Sequence, residues 1–221
     1  MFSGRPIEDF LKSLGFVISL NDRGGVGVPH GYTIDQLIDS RHHRLKIRGQ
    51  LGPEQYGLLF EKVVEQLLLG SFKFDVLRGV QFEDEGMGGD YDVLAFQSPH
   101  LHYIECKTTS DIKFKEIFAR HKFLRPSLTL ILVDRPKRDV ADIVSGEINS
   151  FFIEDWKKRH PNKKIDFTKY PIEQISDIEA GFTLYHMRRN VFIASGEDID
   201  KAIRKTLRYF HQVVQQSSYI S

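Results

Sequence analysis

Apolar positions recur at helical spacing between residues 53 and 70, where Tyr56, Phe60, Val63, Val64 and Leu67 form one stripe. Pro53 suits the first turn of such a helix and Gly70 its C-terminal end, so the pattern predicts a helix over 53–70. The period then shortens. FKFDVLRGVQF (72–82), YDVLAFQ (91–97) and LHYIECKTT (101–109) read as strands, the last two joined around Ser98-Pro99. IKFKEIFARHKFL (112–124) returns to helical spacing, and SLTLILVD (127–134) is a continuous apolar run suited to a strand covered on both faces. Residues 52–134 therefore spell helix, three strands, helix, strand.

The flanks are mixed. IEDFLKSLGF predicts a short amphipathic helix, FVISL a strand and NDRGGVGVPHGY a glycine-rich loop. Thr33 with Gln36 makes a capping box ahead of Ile34, Leu37 and Ile38, which starts another helix. Beyond residue 134, a long helix is expected over 137–159 with Val140, Val144, Ile148, Phe151 and Phe152 inward. GFTLYHM and NVFIAS predict a hairpin around Arg188, Arg189 and Asn190. Ile199, Ile203, Leu207, Phe210 and Val214 mark a closing helix. The chain reads as an α/β protein with strands flanked by helices.

Composition narrows the class. At 221 residues, 41% hydrophobic and 28% charged, the chain is expected to fold as a globular protein with a sizeable core. Its apolar runs are too short to cross a bilayer, and MFSGRPIEDF carries acids where a secretory signal needs apolar residues. A single cysteine, Cys106, allows no internal disulfide, so a cytoplasmic location and no membrane partner are expected. Net charge is +1, but the charges are segregated. Residues 82–92 hold five acids (Glu83, Asp84, Glu85, Asp90 and Asp92) and no base, whereas 111–138 hold eight bases against three acids. RHHRLKIR (41–48) adds four bases and KKRHPNKK (157–164) five, neither with any acid.

Within this pattern YIECK is unusual, because Glu105 and Lys107 share one face of an otherwise apolar strand. Asp90, Asp92, Leu94 and Phe96 share a face of the preceding strand. Pairing of the two strands brings Asp92 and Glu105 together beside Lys107. Buried carboxylates repel unless something neutralises them, and oxygen ligands without paired histidines or cysteines favour Mg²⁺ or Mn²⁺. Such an ion with a neighbouring lysine suits phosphodiester hydrolysis. Cys106 points the opposite way, leaving its backbone carbonyl as a further candidate ligand.

Asp92 with Val-Leu-Ala, then Ile-Glu105-Cys-Lys107 after an intervening turn, resembles the active site of the PD-(D/E)XK nuclease superfamily. This superfamily comprises restriction-endonuclease-like and Holliday-junction-resolvase-like enzymes. The element order of residues 52–134 is similar to its common core, and Gly-Gly-Asp-x-Asp followed by Glu-Cys-Lys is closest to Mrr-type members. Tyr91 stands where the literal motif has proline. The resemblance implies a restriction-endonuclease-like core over 52–134, with a helical extension over 1–51 and a helix–hairpin–helix elaboration over 135–221. It implies a Mg²⁺- or Mn²⁺-dependent DNA endonuclease of restriction, defence or repair type. Asp92, Glu105 and the Cys106 carbonyl would hold metal, Lys107 would serve the attacking water, and Glu61 would assist directly or through water. Asp90 is a possible auxiliary, although its place after Gly88-Gly89 equally suits a turn. DNA is the implied partner, and cutting both strands implies a homodimer or a subunit of a larger complex.

Plainer readings accompany each feature. Glu105 and Lys107 also fit a solvated edge pair, and Glu61 a solvated helix border. Lys113, Lys115, Arg120, Lys122 and Arg125 line a DNA backbone or simply a wet helix face. His121 is read either as a phosphate contact or as solvated. His42, His43, His100 and His102 lack the spacing of a metal site, and Phe151 and Phe152 read as core or a dimer seam. Asp111-Ile-Lys113 and Asp155-Trp-Lys157 repeat the acid-x-lysine spelling outside strands. The glycines at 25, 27 and 31 miss the dinucleotide-loop spacing. Two other functions stay open: a catalytically silent nuclease-fold subunit that binds DNA or assembles a complex, and a nucleotide-binding α/β protein.

Overall fold

β-Branched and aromatic runs supply the strands of one mixed sheet. The structure, a computed structural model, describes residues 5–21, 27–83, 90–164, 173–176, 183–187 and 190–218. Among these, the elements run α1 (Pro6–Ser13), β1 (Ile18–Leu20), α2 (Ile34–Asp39), α3 (Arg41–Arg48), α4 (Pro53–Gly70), β2 (Asp75–Phe82), β3 (Tyr91–Gln97) and β4 (His100–Lys107). Then come α5 (Phe114–Leu124), β5 (Leu128–Val133), α6 (Lys137–Ile143), α7 (Asn149–Arg159), β6 (Glu173–Ser176), β7 (Thr183–Met187), β8 (Val191–Ser195) and α8 (Ile199–Ser218). The sheet order is β1-β2-β3-β4-β5-β8-β7-β6. β4, β5 and β8 run parallel, and the remaining pairs are antiparallel.

Helices cover both faces. On one, Leu37, Ile47, Val64, Leu67, Ile203 and Phe210 of α2, α3, α4 and α8 pack on Val93, Ile104, Leu130 and Leu132. On the other, Ile7, Ile117, Phe118, Val140 and Ile148 pack on Leu94, Tyr103, Ile131 and Val133. Leu130 and Leu132 thus face one core while Ile131 and Val133 face the other, which is why β5 is apolar throughout. The capping box at Thr33 forms as expected, with Gln36 N–H donating to Thr33 Oγ1 at 3.2 Å and Thr33 N–H to Gln36 Oε1 at 2.9 Å.

Several details differ from the sequence reading. The helix begun at Thr33 breaks at Ser40, whose extended backbone (φ −132°, ψ 103°) separates α2 from α3. The expected helix over 137–159 contains a π-helical turn at Val144–Ile148. Its Phe151 and Phe152 are half-buried against Phe114 and Phe118, so they belong to the core. β6 had no sequence signal. Asp84, Glu85, Gly88, Gly89, residues 22–26 of the glycine loop, and Arg188 and Arg189 lie outside the described residues.

One irregularity prepares the site. In β2, Leu77 and Val80 face the same core although they are three residues apart, and Tyr91 and Leu94 do likewise in β3. Pairing nevertheless stays in register, Arg78 with Val93 and Val80 with Tyr91. The pleat therefore shifts in both strands around Gly79 and Asp92. Gly79 takes a φ of +64°, which a side chain would make strained. Asp92 sits where alternation is interrupted.

Candidate active site

Beyond the paired register of β3 and β4, which ends at Val93 and Ile104, the Asp92 side chain takes over the role of a strand neighbour. Its Oδ2 accepts the Cys106 N–H at 2.8 Å. Asp92 is 7% exposed and Glu105 1%. Burial, then the charges of Glu105 and Glu61, push the Asp92 carboxyl well above its ordinary range. Glu105 is held from three sides. Tyr103 donates its hydroxyl to Oε2, Lys107 Nζ lies 2.5 Å from Oε1, and Arg120 Nη1 lies 3.8 Å from that same oxygen.

The electrostatics fix protonation states. Burial opposes the charge of Lys107, but Glu105 and then Asp92 outweigh it and hold its pKa above the usual lysine value. Lys107 is an ammonium. Burial, then Glu105 and Asp92, raise the Tyr103 hydroxyl, so Tyr103 remains a donor. The Cys106 thiol is raised by burial and by Asp92, and it belongs to the core on the opposite face, as expected.

Asp92, Glu105 and Lys107 line one cavity of about 420 Å³ with Asp90, Asp111, Glu116, Lys113 and Arg120. Five carboxylates there face three cations. Asp90 is engaged by Asn21 Nδ2 at 2.8 Å and Gln81 Nε2 at 2.5 Å, as a residue fixing a loop would be. Glu61 is not solvated: it is 6% exposed and 4.0 Å from Arg78 Nη1. It does not line the cavity, but its charge reaches Asp92 from the α4 side. Among the described residues no group of three or more His, Cys, Asp or Glu is arranged to hold a metal ion.

The bases after the motif separate into two sets. Lys113 and Arg120 reach the cavity, whereas Lys115, Lys122 and Arg125 do not line it. Lys122 lies over the Phe118 ring, 4.8 Å from its centroid. His121 turns inward, 6% exposed and 3.0 Å from Thr129 Oγ1, which corrects its reading as a phosphate contact or a solvated residue. His102 is core.

Behind Lys107 lies a polar network that the sequence reading missed. The Asp134 N–H donates to the Lys107 carbonyl at 2.7 Å, and Tyr56 donates its hydroxyl to Asp134 Oδ2 at 2.5 Å. Arg44 Nη2 lies 3.9 Å from Asp134 Oδ1, and Arg48 donates to the Thr108 carbonyl. The segment before α4 thereby braces the end of β4. Tyr103 was also missed as a site residue. Its one available signal was its place two residues before Glu105 on the same strand face.

No family model matches the chain, and no curated protein matches it. Among solved structures, it is similar to protein VC1899 from Vibrio cholerae, with 18% identity and a TM-score of 0.32, over 63% of this chain and 42% of that one.

Proposed function

We propose that the protein is a Mg²⁺- or Mn²⁺-dependent deoxyribonuclease with a restriction-endonuclease-like core, cutting phosphodiester bonds within DNA. The observation that supports this is the convergence of two buried carboxylates, Asp92 and Glu105, with the Lys107 ammonium on one cavity. Two features of the donor set fit a divalent ion. The cavity carries two more carboxylates than cations, and the crowded Asp92 is destabilised as an anion by burial and by its acidic neighbours. Asp92 and Glu105 are too few to enclose zinc, but Mg²⁺ commonly binds one or two carboxylates and completes its shell with water and phosphate oxygens. Asp92, Glu105 and the Cys106 carbonyl would hold it, with Glu61 acting from behind.

Such an ion supplies Lewis-acid polarisation of the phosphodiester and a more acidic water. The chain's own groups do the rest. Tyr103 fixes the Glu105 carboxylate by donating to Oε2. Lys107, held charged while Glu105 and Asp92 face it without a metal, anchors Oε1, and beside a bound ion it would serve the attacking water and offset negative charge that builds on the phosphate. The Asp134–Tyr56–Arg44 network sets the Lys107 backbone from which that ammonium projects. Cutting both strands of a duplex would require two copies of the chain.

A second reading has one observation in its favour. Glu105 already has two cationic neighbours, and no three-ligand cluster occurs among the described residues, as in a silent nuclease fold that only binds DNA. Incubation with supercoiled plasmid, branched DNA and RNA in Mg²⁺, Mn²⁺ or EDTA, beside Lys107→Ala, decides between them. Cleavage of DNA that requires the ion and Lys107 supports the nuclease. Binding without cleavage supports the silent fold, and cleavage surviving EDTA or the substitution removes both.

A further inference from the structure

The structure sorts the five bases that follow the motif. Glu116, Ile117 and Arg120 fall at i, i+1 and i+4 on the side that α5 turns toward the cavity, and Lys113, the residue before the helix, joins them there. Lys113 is at the rim, with its side chain 70% exposed and 3.7 Å from Glu116. Arg120 lies inside, its side chain 12% exposed and its guanidinium over the Tyr91 ring, 5.9 Å from the centroid.

Arg120 and Lys107 approach the same Glu105 oxygen on different terms. Lys107 is in contact at 2.5 Å, whereas Arg120 at 3.8 Å is beyond hydrogen-bond length. A divalent ion drawn to Glu105 would repel both, and of the two contacts to that oxygen the longer one, from Arg120, is the weaker. A guanidinium presents five donors in a planar fork that matches two phosphate oxygens. Its perch on Tyr91 keeps that fork within the cavity while the Glu105 contact is given up.

We infer that Arg120 is a catalytic residue of this site, exchanging Glu105 for the non-bridging oxygens of the phosphodiester when a divalent cation and substrate bind. The inference rests on the proposed nuclease reading. It makes Arg120 a competitor of the metal and a partner of the phosphate, so its removal has two effects of opposite sign.

The test uses the full chain with Arg120→Gln and Arg120→Lys, each first compared with wild type by thermal denaturation. Calorimetric titration with Mn²⁺ alone should show Arg120→Gln binding at least about fivefold tighter, the factor that one unit charge at 4 Å contributes even at the dielectric of water. With DNA and Mg²⁺, kcat should fall about 100-fold, the usual effect of losing one charge-stabilising donor, and Arg120→Lys should recover part of it. Unchanged Mn²⁺ affinity overturns the exchange, and unchanged kcat in an active enzyme overturns the catalytic role. A wild-type protein that is inert on every substrate instead removes the nuclease reading, while the Mn²⁺ titration still reports on Arg120. Should Arg120→Gln fail to fold, Arg120→Lys alone decides: it keeps the charge but loses the fork, so kcat falls with Mn²⁺ affinity held, and an unchanged kcat refutes the proposal.

Discussion

The Asp92 carboxylate accepts the Cys106 N–H at 2.8 Å and so stitches the end of β3 to the strand that carries Glu105 and Lys107. One side chain is thus both a structural acceptor and a buried carboxyl whose charge is disfavoured by burial, Glu105 and Glu61. These roles separate by substitution. Asp92→Asn keeps an acceptor for Cys106 and removes the repulsion, so it should melt higher than wild type in EDTA. On the proposed nuclease reading, cleavage should nevertheless fall at least about 100-fold, since a proposed metal ligand and a charge are gone. Asp92→Ala leaves the Cys106 N–H without its acceptor and should be less stable than Asp92→Asn by about 1–3 kcal/mol. Denaturant unfolding of the pair measures this, and equal stabilities would mean that the hydrogen bond contributes little.

Tyr103 reaches the Glu105 oxygen that Lys107 does not. Tyr103→Phe fills the same volume and removes only that donor. If Glu105 holds the proposed metal, Mn²⁺ affinity or kcat should fall about 10- to 100-fold, as is usual when the partner of a metal-binding side chain is lost. KM for DNA should hold, because Tyr103 is fully buried. A KM effect without a kcat or metal effect would contradict this assignment.

How much of this was legible in the sequence follows from the range of each interaction. The alternation of Tyr103, Glu105 and Lys107 and the stripe of α4 are local, so β4, α4 and the candidate acid pair could be read directly. Glu61 could not be placed. Whether an acid at a stripe border is wet depends on Arg78 from β2, which ion-pairs with both Glu61 and Glu65. The pleat shift at Gly79 was equally hidden, since it is a joint property of two strands. Arg120 looked like four other bases because only the packing of α5 against Tyr91 singles it out. β6 is a polar four-residue segment, EQIS, stabilised by pairing with β7 rather than by its own pattern.

Gly196 allows the turn after β8 to approach the end of β5. A Cβ there would lie 3.2 Å from Phe60 Cζ, 3.2 Å from the Val133 carbonyl and 3.4 Å from Asp134 Cα. Two of these neighbours are backbone and cannot rotate away. Gly196→Ala should therefore destabilise the protein by about 1–3 kcal/mol through overpacking, seen as a lower Tm. Because the Asp134 N–H donates to the Lys107 carbonyl, the proposed cleavage should drop in the same variant at temperatures where it remains folded.

His102 provides the pH dependence. It is 1% exposed, packed near Phe74 and Phe210 with His100 and His211 close by, and its Nδ1 has no hydrogen-bond partner among the described residues. Burial, then the two neighbouring histidines, lower its pKa from 6.5 to about 3. The folded protein therefore keeps His102 neutral while the unfolded chain protonates it below pH 6.5, so unfolding takes up a proton between these values. Stability is fully present above pH 6.5 and is lost as pH falls; at pH 5 the loss is roughly 2 kcal/mol from this group. The buried Asp92 carboxyl, raised rather than lowered, works in the opposite sense, so the total slope sums the two. The difference between wild type and His102→Phe isolates one group. The variant suits its aromatic surroundings, should equal or exceed wild type at pH 8, and should exceed it by roughly 2 kcal/mol more at pH 5. Parallel stability curves for the two proteins across that range would show that His102 does not carry the proton uptake.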